Sequence, residues 1–203
     1  MMNRMHRTQR PRRQRPGIGL APQRGATMIE VLVSVVILLI ALLGTAGLIA
    51  RSGQSEMESY QRAQALTLLK DMVARINANR QAAPCYASGS TMTVMGNATV
   101  APPVCTGVSN AQLGTATADL AAWNTALQGS AESSSSGTAV GAMIGALGCI
   151  ESIDATNQIY RVTVAWQGLA QTVTSSLPCG AGSFGNDANR RAISVTVRIG
   201  VLS

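Results

Sequence analysis

A long apolar run near the N-terminus constrains this chain more than any other feature. Residues 26–50 read ATMIEVLVSVVILLIALLGTAGLIA, and Glu30 is the only charged residue among them. As a helix rising 1.5 Å per residue, about 25 residues are enough to cross the roughly 30 Å hydrocarbon core of a membrane. Because a helix satisfies its own backbone hydrogen bonds in lipid, the run predicts a transmembrane or bundle-core helix.

The net charge of +7 comes from the segment ahead of this run. Residues 1–25 contain seven arginines and no acid, whereas basic and acidic residues balance in the remainder. A basic segment before a hydrophobic run is a topology signal that keeps the N-terminus cytoplasmic and sends the rest of the chain across the membrane. Two alternatives are a basic arm that binds nucleic acid or anionic lipid, and a secretory signal cleaved near LLGTAGLIA. Basic and aromatic residues do not interleave, so we expect no nucleic-acid partner.

Residues 51–83 predict an amphipathic continuation of the same helix. No proline occurs before Pro84, helix-forming residues dominate after Gly53, and Arg80 is expected to close the helix. Apolar side chains recur in steps of three and four, which predicts one buried face. The residues of this predicted face are Met57, Tyr60, Ala65, Leu68, Leu69, Met72, Val73 and Ile76.

Residues 84–203 predict a small globular domain. Residues 84–118 are typical of loops, and Thr117–Gln128 predicts a short helix with Thr117 as N-cap and Asp119 as a first-turn acid. Three later runs (142–152, 158–168 and 190–203) are typical of strands, and the last two alternate between apolar and polar residues. Adjacent strands of this kind pair antiparallel. The expected fold class is α+β, with a small antiparallel sheet packed on the amphipathic half of the long helix.

The four cysteines are Cys85, Cys105, Cys149 and Cys179. They form no CxxC motif, and the only histidine is His6, so a zinc site is not expected. An even count on the exported side of a membrane indicates two disulfides, with three possible pairings. We favour the local pairing of Cys85 with Cys105 and of Cys149 with Cys179, which closes two loops of similar size; the other pairings and free thiols stay open.

Catalytic motifs are absent from the sequence. No histidine follows His6, so no Ser-His or Cys-His pair can form, and no glycine-rich phosphate loop occurs. We therefore expect no enzymatic activity and no cofactor. The function is expected to come from association with other proteins.

The segment RGATMIEVLVSVVILLIALL, which begins at Arg24, resembles the leader junction and N-terminal helix of type IV pilins and pseudopilins. The resemblance implies a type IV pilin fold and cleavage by a prepilin peptidase between Gly25 and Ala26, followed by N-methylation of Ala26. It also implies an assembly role for Glu30, whose carboxylate would pair with the new N-terminus of a neighbouring subunit. Ala26 departs from the phenylalanine usual in the family, and Met28 stands where leucine is commoner.

The resemblance implies an organisation into four segments. Residues 1–25 would be a cleaved basic leader, residues 26–50 the transmembrane and filament-core helix, residues 51–83 its amphipathic half, and residues 84–203 a periplasmic domain. The protein would cross the bacterial inner membrane once and then enter the pilus.

The C-terminal part also resembles, more weakly, the minor pilins of the PilV type. They are carried by ADLAAWNTALQG, IYRVTVAWQG, LPCG and RRAISVTVRI. They imply a subunit of the pilus tip complex that primes assembly and supports adhesion and twitching motility. Its partners would be other minor pilins, the major pilin, the prepilin peptidase/N-methyltransferase and the inner-membrane pilus assembly platform. The alternatives are a minor pseudopilin of a type II secretion system and an uncleaved, single-span anchored periplasmic protein.

Overall fold

The computed structural model describes residues 25, 27–88, 92–96, 103–130, 135, 141 and 143–200. Apart from Gly25, the predicted leader lies outside these residues, and so does Ala26. The chain divides into two compact units, Met1–Gly47 and Leu48–Ser203. In chain order the elements are α1 (Met28–Ala78), a 3-10 turn (Arg80–Ala82), α2 (Ala83–Tyr86), β1 (Thr93–Met95), α3 (Asn110–Leu127), β2 (Ile144–Asp154), β3 (Ile159–Gln167), a second 3-10 turn (Asp187–Asn189) and β4 (Arg190–Arg198).

The sheet has four antiparallel strands in the order β1-β2-β3-β4. The three predicted strands and their antiparallel pairing are confirmed, as is the α+β fold class. The sequence did not predict β1, a three-residue strand in a region interpreted as loop. Pairing fixes it to the edge of β2, with Met95 opposite Gly148, because three residues carry too short a period-two pattern to be recognised without their partner.

The second half of α1 packs on the sheet through one face. Its buried residues are Gln61, Ala65, Leu68, Leu69, Met72 and Ile76. The predicted face is confirmed from Ala65 onward but is wrong at its start, since Met57 and Tyr60 are half exposed and Gln61 is 2% exposed. Gln61 is four residues before Ala65 and so lies on the same helix face, whereas Tyr60 is offset from it. The helix ends at Ala78, and Arg80 belongs to the following 3-10 turn.

Helix α3 begins earlier than predicted. Ser109 is its N-cap: the Ser109 hydroxyl accepts the Gln112 backbone N–H at 3.3 Å, and Gln112 Oε1 accepts the Ser109 N–H at 2.9 Å. This reciprocal capping box satisfies two N–H groups that the helix cannot pair. Thr117 is therefore not the N-cap, and its hydroxyl donates to the Leu113 carbonyl inside the helix at 2.9 Å.

Asp119 is consequently not a first-turn acid but the centre of a contact between three helices. Its Oδ1 accepts a charged hydrogen bond from Arg75 Nη1 of α1 at 2.9 Å, and its Oδ2 accepts the Tyr86 hydroxyl of α2 at 2.5 Å. Arg75 Nε also donates to Asp71 at 2.8 Å. Because both carboxylate oxygens are used, this residue fixes α3 against α1 and α2.

The face of the sheet turned away from α1 is covered by the segment between β3 and β4. A disulfide joins Cys149 of β2 to Cys179 of this segment, and another joins Cys85 to Cys105, which is the local pairing that the sequence favours. The cover buries Thr163 completely. The period-two pattern predicted that Thr163 lies on the exposed, polar face of β3. At this position, however, β3 is buried on both faces, because the covalently attached segment excludes solvent.

Arg190 holds the same segment without a covalent bond. Its side chain is buried, and its guanidinium donates to the carbonyl oxygens of Ser175, Leu177 and Cys179 at 2.8 to 3.0 Å. Asp187 Oδ2 accepts a fourth bond at 3.1 Å. Charge-assisted bonds of this kind are about twice as strong as neutral ones.

Helix α3 meets the sheet at a position where only glycine fits. A Cβ at Gly148 would lie 2.3 Å from Trp123 Cη2 and 2.6 Å from Leu127 Cδ1. The Trp123 ring is fully buried, and its indole N–H donates to the Leu68 carbonyl of α1 at 2.9 Å. Burial and this hydrogen bond hold the ring in place.

We predict that Gly148→Ala lowers the free energy of unfolding by about 1 to 3 kcal/mol, because the added methyl group overpacks the seam between α3 and the sheet. Gly114→Ala in α3 is the matched control, since a Cβ there meets nothing within 4 Å. It should raise the free energy of unfolding by about 0.5 to 1 kcal/mol through helix propensity. Denaturant unfolding of the full chain in detergent, followed by circular dichroism, measures both. Equal effects of the two substitutions would contradict the overpacking.

Burial, reinforced by the hydrogen bond to Asp119, raises the pKa of Tyr86 well above its ordinary value. A tyrosine in the unfolded chain ionises near pH 10, so the folded chain holds this proton longer. The stabilisation of the folded chain that results from this shift is complete below about pH 10 and is lost as the pH rises further. Tyr86→Phe should reduce that alkaline loss of stability and should cost about 1 to 3 kcal/mol at pH 7.

Denaturant unfolding at pH 7, 9 and 11 measures both effects of Tyr86→Phe. Burial also raises the pKa of Tyr160. Part of the alkaline slope, which is the decrease in the free energy of unfolding as the pH rises above about 10, therefore remains in the Tyr86→Phe variant. Tyr160→Phe is the comparison that removes that part. An unchanged alkaline slope in Tyr86→Phe would contradict the assignment.

Candidate assembly helix

The predicted processing site lies directly ahead of α1. Gly25 and Thr27 precede the helix, which begins at Met28, and Ala26 lies outside the described residues. The backbone N–H groups of Glu30 and Val31 bond to the Thr27 carbonyl at 3.0 and 3.3 Å. Glu30 is therefore in the first turn of α1, where the positive end of the helix dipole favours a carboxylate.

The first half of α1 exposes its apolar side chains in every direction. We call residues 28–50 the apolar segment. Every described residue of this segment is exposed, from Met28 at 85% to Ile49 at 73%. By length and composition, α1 is the one helix among the described residues that could cross a membrane. An apolar surface of this size is stable only when lipid or other apolar helices cover it.

The polar groups of the apolar segment are compatible with such an environment. The hydroxyl of Ser34 donates to the Glu30 carbonyl at 2.7 Å, and that of Thr45 donates to the Leu42 carbonyl at 2.9 Å. Internal hydrogen bonds remove the cost of burying these hydroxyls. Gly44 and Gly47 have open space where a Cβ would stand, so another helix can approach closely there.

Glu30 is the exception, because no ion pair within the described part of the chain includes its carboxylate. In lipid or in a helix bundle, an unpaired carboxylate is strongly disfavoured, whereas a paired one is tolerated. The role of Glu30 in assembly stays a prediction.

Two family models match the chain. One, the prokaryotic N-terminal methylation motif, covers residues 20–46. The other, described as type IV pilin Tt1218, covers residues 47–126. The two matches support a type IV pilin. Comparison with curated proteins and with solved structures gave no match.

The pilin assignment agrees with the architecture. A long N-terminal helix packed on a small antiparallel sheet is consistent with the type IV pilin fold. The match to residues 47–126 includes β1 and all but the last residue of α3. Type IV pilins are structural proteins rather than enzymes, and their prepilin motif implies a pilus-related role. In the part of the chain that the structure describes, no group of three or more histidine, cysteine, aspartate or glutamate side chains could hold a metal ion.

Proposed function

We propose that the chain is a minor type IV pilin of the PilV type, which is processed by the prepilin peptidase and assembled through its apolar segment. The observation that carries this proposal is the exposed apolar helix with Glu30 in its first turn, within the residues that match the methylation motif. The C-terminal sequence similarities to PilV-type subunits support the more specific assignment. The protein would act with other minor pilins, the major pilin and the assembly platform of the inner membrane.

The proposed mechanism begins with proteolysis. Cleavage after Gly25 removes the arginine-rich leader and creates a positively charged α-amino group on Ala26. When helices stack in a filament, this group neutralises Glu30 of the adjacent subunit. Because each charge is costly without the other in an apolar bundle, the pair specifies the axial register of the helices more than it adds stability.

The proposed localisation follows the same sequence of steps. The basic leader keeps the N-terminus cytoplasmic, the apolar segment holds the precursor in the inner membrane, and the disulfide-containing domain lies in the periplasm. Incorporation at the pilus tip would then move the apolar segment out of lipid and into a bundle of similar helices. Adhesion and twitching motility are the activities that such a tip complex would support.

We predict that the mature protein begins at N-methylated Ala26. Intact-mass spectrometry of protein purified from cells should show the loss of residues 1–25 and the gain of one methyl group. Gly25→Leu should leave the precursor uncleaved because the peptidase recognises the glycine, whereas Gly19→Leu in the leader is the matched control and should be cleaved. An untrimmed wild-type chain in cells would contradict every pilin function proposed for it.

We predict that Glu30→Ala is cleaved and inserted normally but enters fibres at least about tenfold less, since the α-amino group of the neighbouring subunit loses its counter-charge. Glu30→Gln should behave in the same way, because it keeps the size and removes the charge. Glu56→Ala, on the same helix beyond the apolar segment, is the control. Immunoblots of sheared fibres and of membranes measure the ratio. Incorporation equal to wild type would show that Glu30 does not set the register.

A deletion strain distinguishes the remaining alternatives. Loss of surface fibres and twitching supports the pilus assignment, whereas loss of exoprotein release with intact fibres assigns the chain to a type II secretion system. Normal fibres and normal secretion, with the protein absent from sheared fibres, would instead indicate a single-span anchored periplasmic protein.

A further inference from the structure

A cleft of about 340 Å³ lies between α1 and the neighbouring ends of β3 and β4. Its helix wall carries Ser55, Ser59 and Arg62, and its sheet wall carries Trp166 and Ile193. All of these residues belong to the unit Leu48–Ser203. The volume lies within the range of roughly 300 to 1,000 Å³ that is typical of small-molecule sites.

The cleft contains one cation that is not neutralised. Arg191 is paired with Glu58, at 3.2 Å between Nη2 and Oε1, and it also donates to Thr172 Oγ1 and the Ala170 carbonyl. Its charge and its donors are therefore already used. Arg62, by contrast, has neither an ion pair nor a hydrogen bond among the described residues, and its side chain is exposed. The cleft consequently carries a net positive charge from Arg62.

Hydroxyl donors are also unused on the helix wall. Ser34 and Thr67 of the same helix donate to the carbonyl four residues earlier, at 2.7 and 3.0 Å. Within the described part of the chain, the hydroxyls of Ser55 and Ser59 make no hydrogen bond. With Arg62 they follow each other at intervals of four and three residues, which places all three on one side of the helix.

The sheet wall adds a buried aromatic ring. Trp166 is 3% exposed, and its indole N–H has no acceptor in the region that the structure describes. The unused donors that a ligand can reach therefore lie on the helix wall of a concave, positively charged site, and the indole ring forms part of the opposite wall. Such a donor set fits a ligand that offers several acceptor oxygens and a negative charge.

We propose that this cleft binds the oxyanion of a phosphate group. The planar guanidinium of Arg62 matches two phosphate oxygens, and the hydroxyls of Ser55 and Ser59 can donate to the others. A carboxylate has only two oxygens and would leave part of the donor set unused. Glu58 does not oppose binding, because Arg191 neutralises it within the cleft wall.

Two sources can supply this phosphate: a phospholipid headgroup or free phosphate. Ser55 is five residues beyond Ala50, which corresponds to about 8 Å along a helix. The headgroup layer extends roughly 5 to 8 Å beyond the hydrocarbon core of a bilayer. The lipid source rests on the proposed membrane position of the apolar segment, whereas the free source does not.

The first test uses the full-length chain in a phosphate-free maltoside detergent. Inorganic phosphate is titrated against chloride at equal ionic strength, and tryptophan fluorescence is followed. We expect a saturable change that Trp166→Phe removes, since Trp123 lies in the core. Arg62→Gln should weaken the apparent affinity at least about tenfold because a charge-assisted bond is lost. Lys70→Gln, an exposed cation on the same helix outside the cleft, should leave the affinity unchanged.

The second test repeats the titration with the chain in nanodiscs of phosphatidylglycerol. If a lipid headgroup occupies the cleft, the response to inorganic phosphate disappears there, and the Trp166 emission differs between wild type and Arg62→Gln. If free phosphate is the ligand, the response persists. No saturable response in detergent together with no Arg62-dependent difference in nanodiscs would overturn the proposal, as would equal weakening by Arg62→Gln and Lys70→Gln. Both tests use purified protein, so failure of pilus assembly does not affect them.

Discussion

The structure depends first on an apolar helix surface that nothing in the described part of the chain covers. The first half of α1 exposes leucine, isoleucine and valine side chains on all sides, so its free energy is favourable only in lipid or among similar helices. This constraint explains why the few polar groups of the segment are satisfied within the helix, and why the carboxylate of Glu30 is conspicuous. It also explains why the folded domain must be stabilised separately, by contacts that begin beyond the segment.

That stabilisation is concentrated where α1, α3 and the sheet meet. Trp123 fills the space above Gly148 and bonds to the backbone of α1, while Asp119 links α3 to both Arg75 and Tyr86. The first contact is mainly apolar and depends on shape, and the second is electrostatic and depends on protonation. Together the two contacts hold α3 at a fixed position on the long helix, although neither Trp123 nor Asp119 is adjacent in sequence to the residues that it contacts.

Long, strongly periodic elements were predictable from the sequence, and features created by tertiary contacts were not. The apolar run, the amphipathic face from Ala65 onward and the three longer strands follow from composition and spacing. The start of α3 was missed although Ser109 and Gln112 have the spacing of a capping box, because the region around them is rich in loop-forming residues. The burial of Thr163 has no local signal, since it depends on a segment attached through Cys179. Similarly, only the fold brings Arg62 to the cleft with Trp166, so this candidate site could not be found from motifs.

The segment between β3 and β4 has two kinds of attachment with different chemistry. The Cys149–Cys179 disulfide can form only under oxidising conditions, whereas the bonds from Arg190 to Ser175, Leu177 and Cys179 are indifferent to redox potential. We expect these bonds to hold the segment against the sheet in the reduced chain as well, so that Cys179 lies near Cys149 before oxidation. Oxidation would then fix a loop conformation that the guanidinium already favours, which would disfavour pairing of Cys179 with either of the two more distant cysteines.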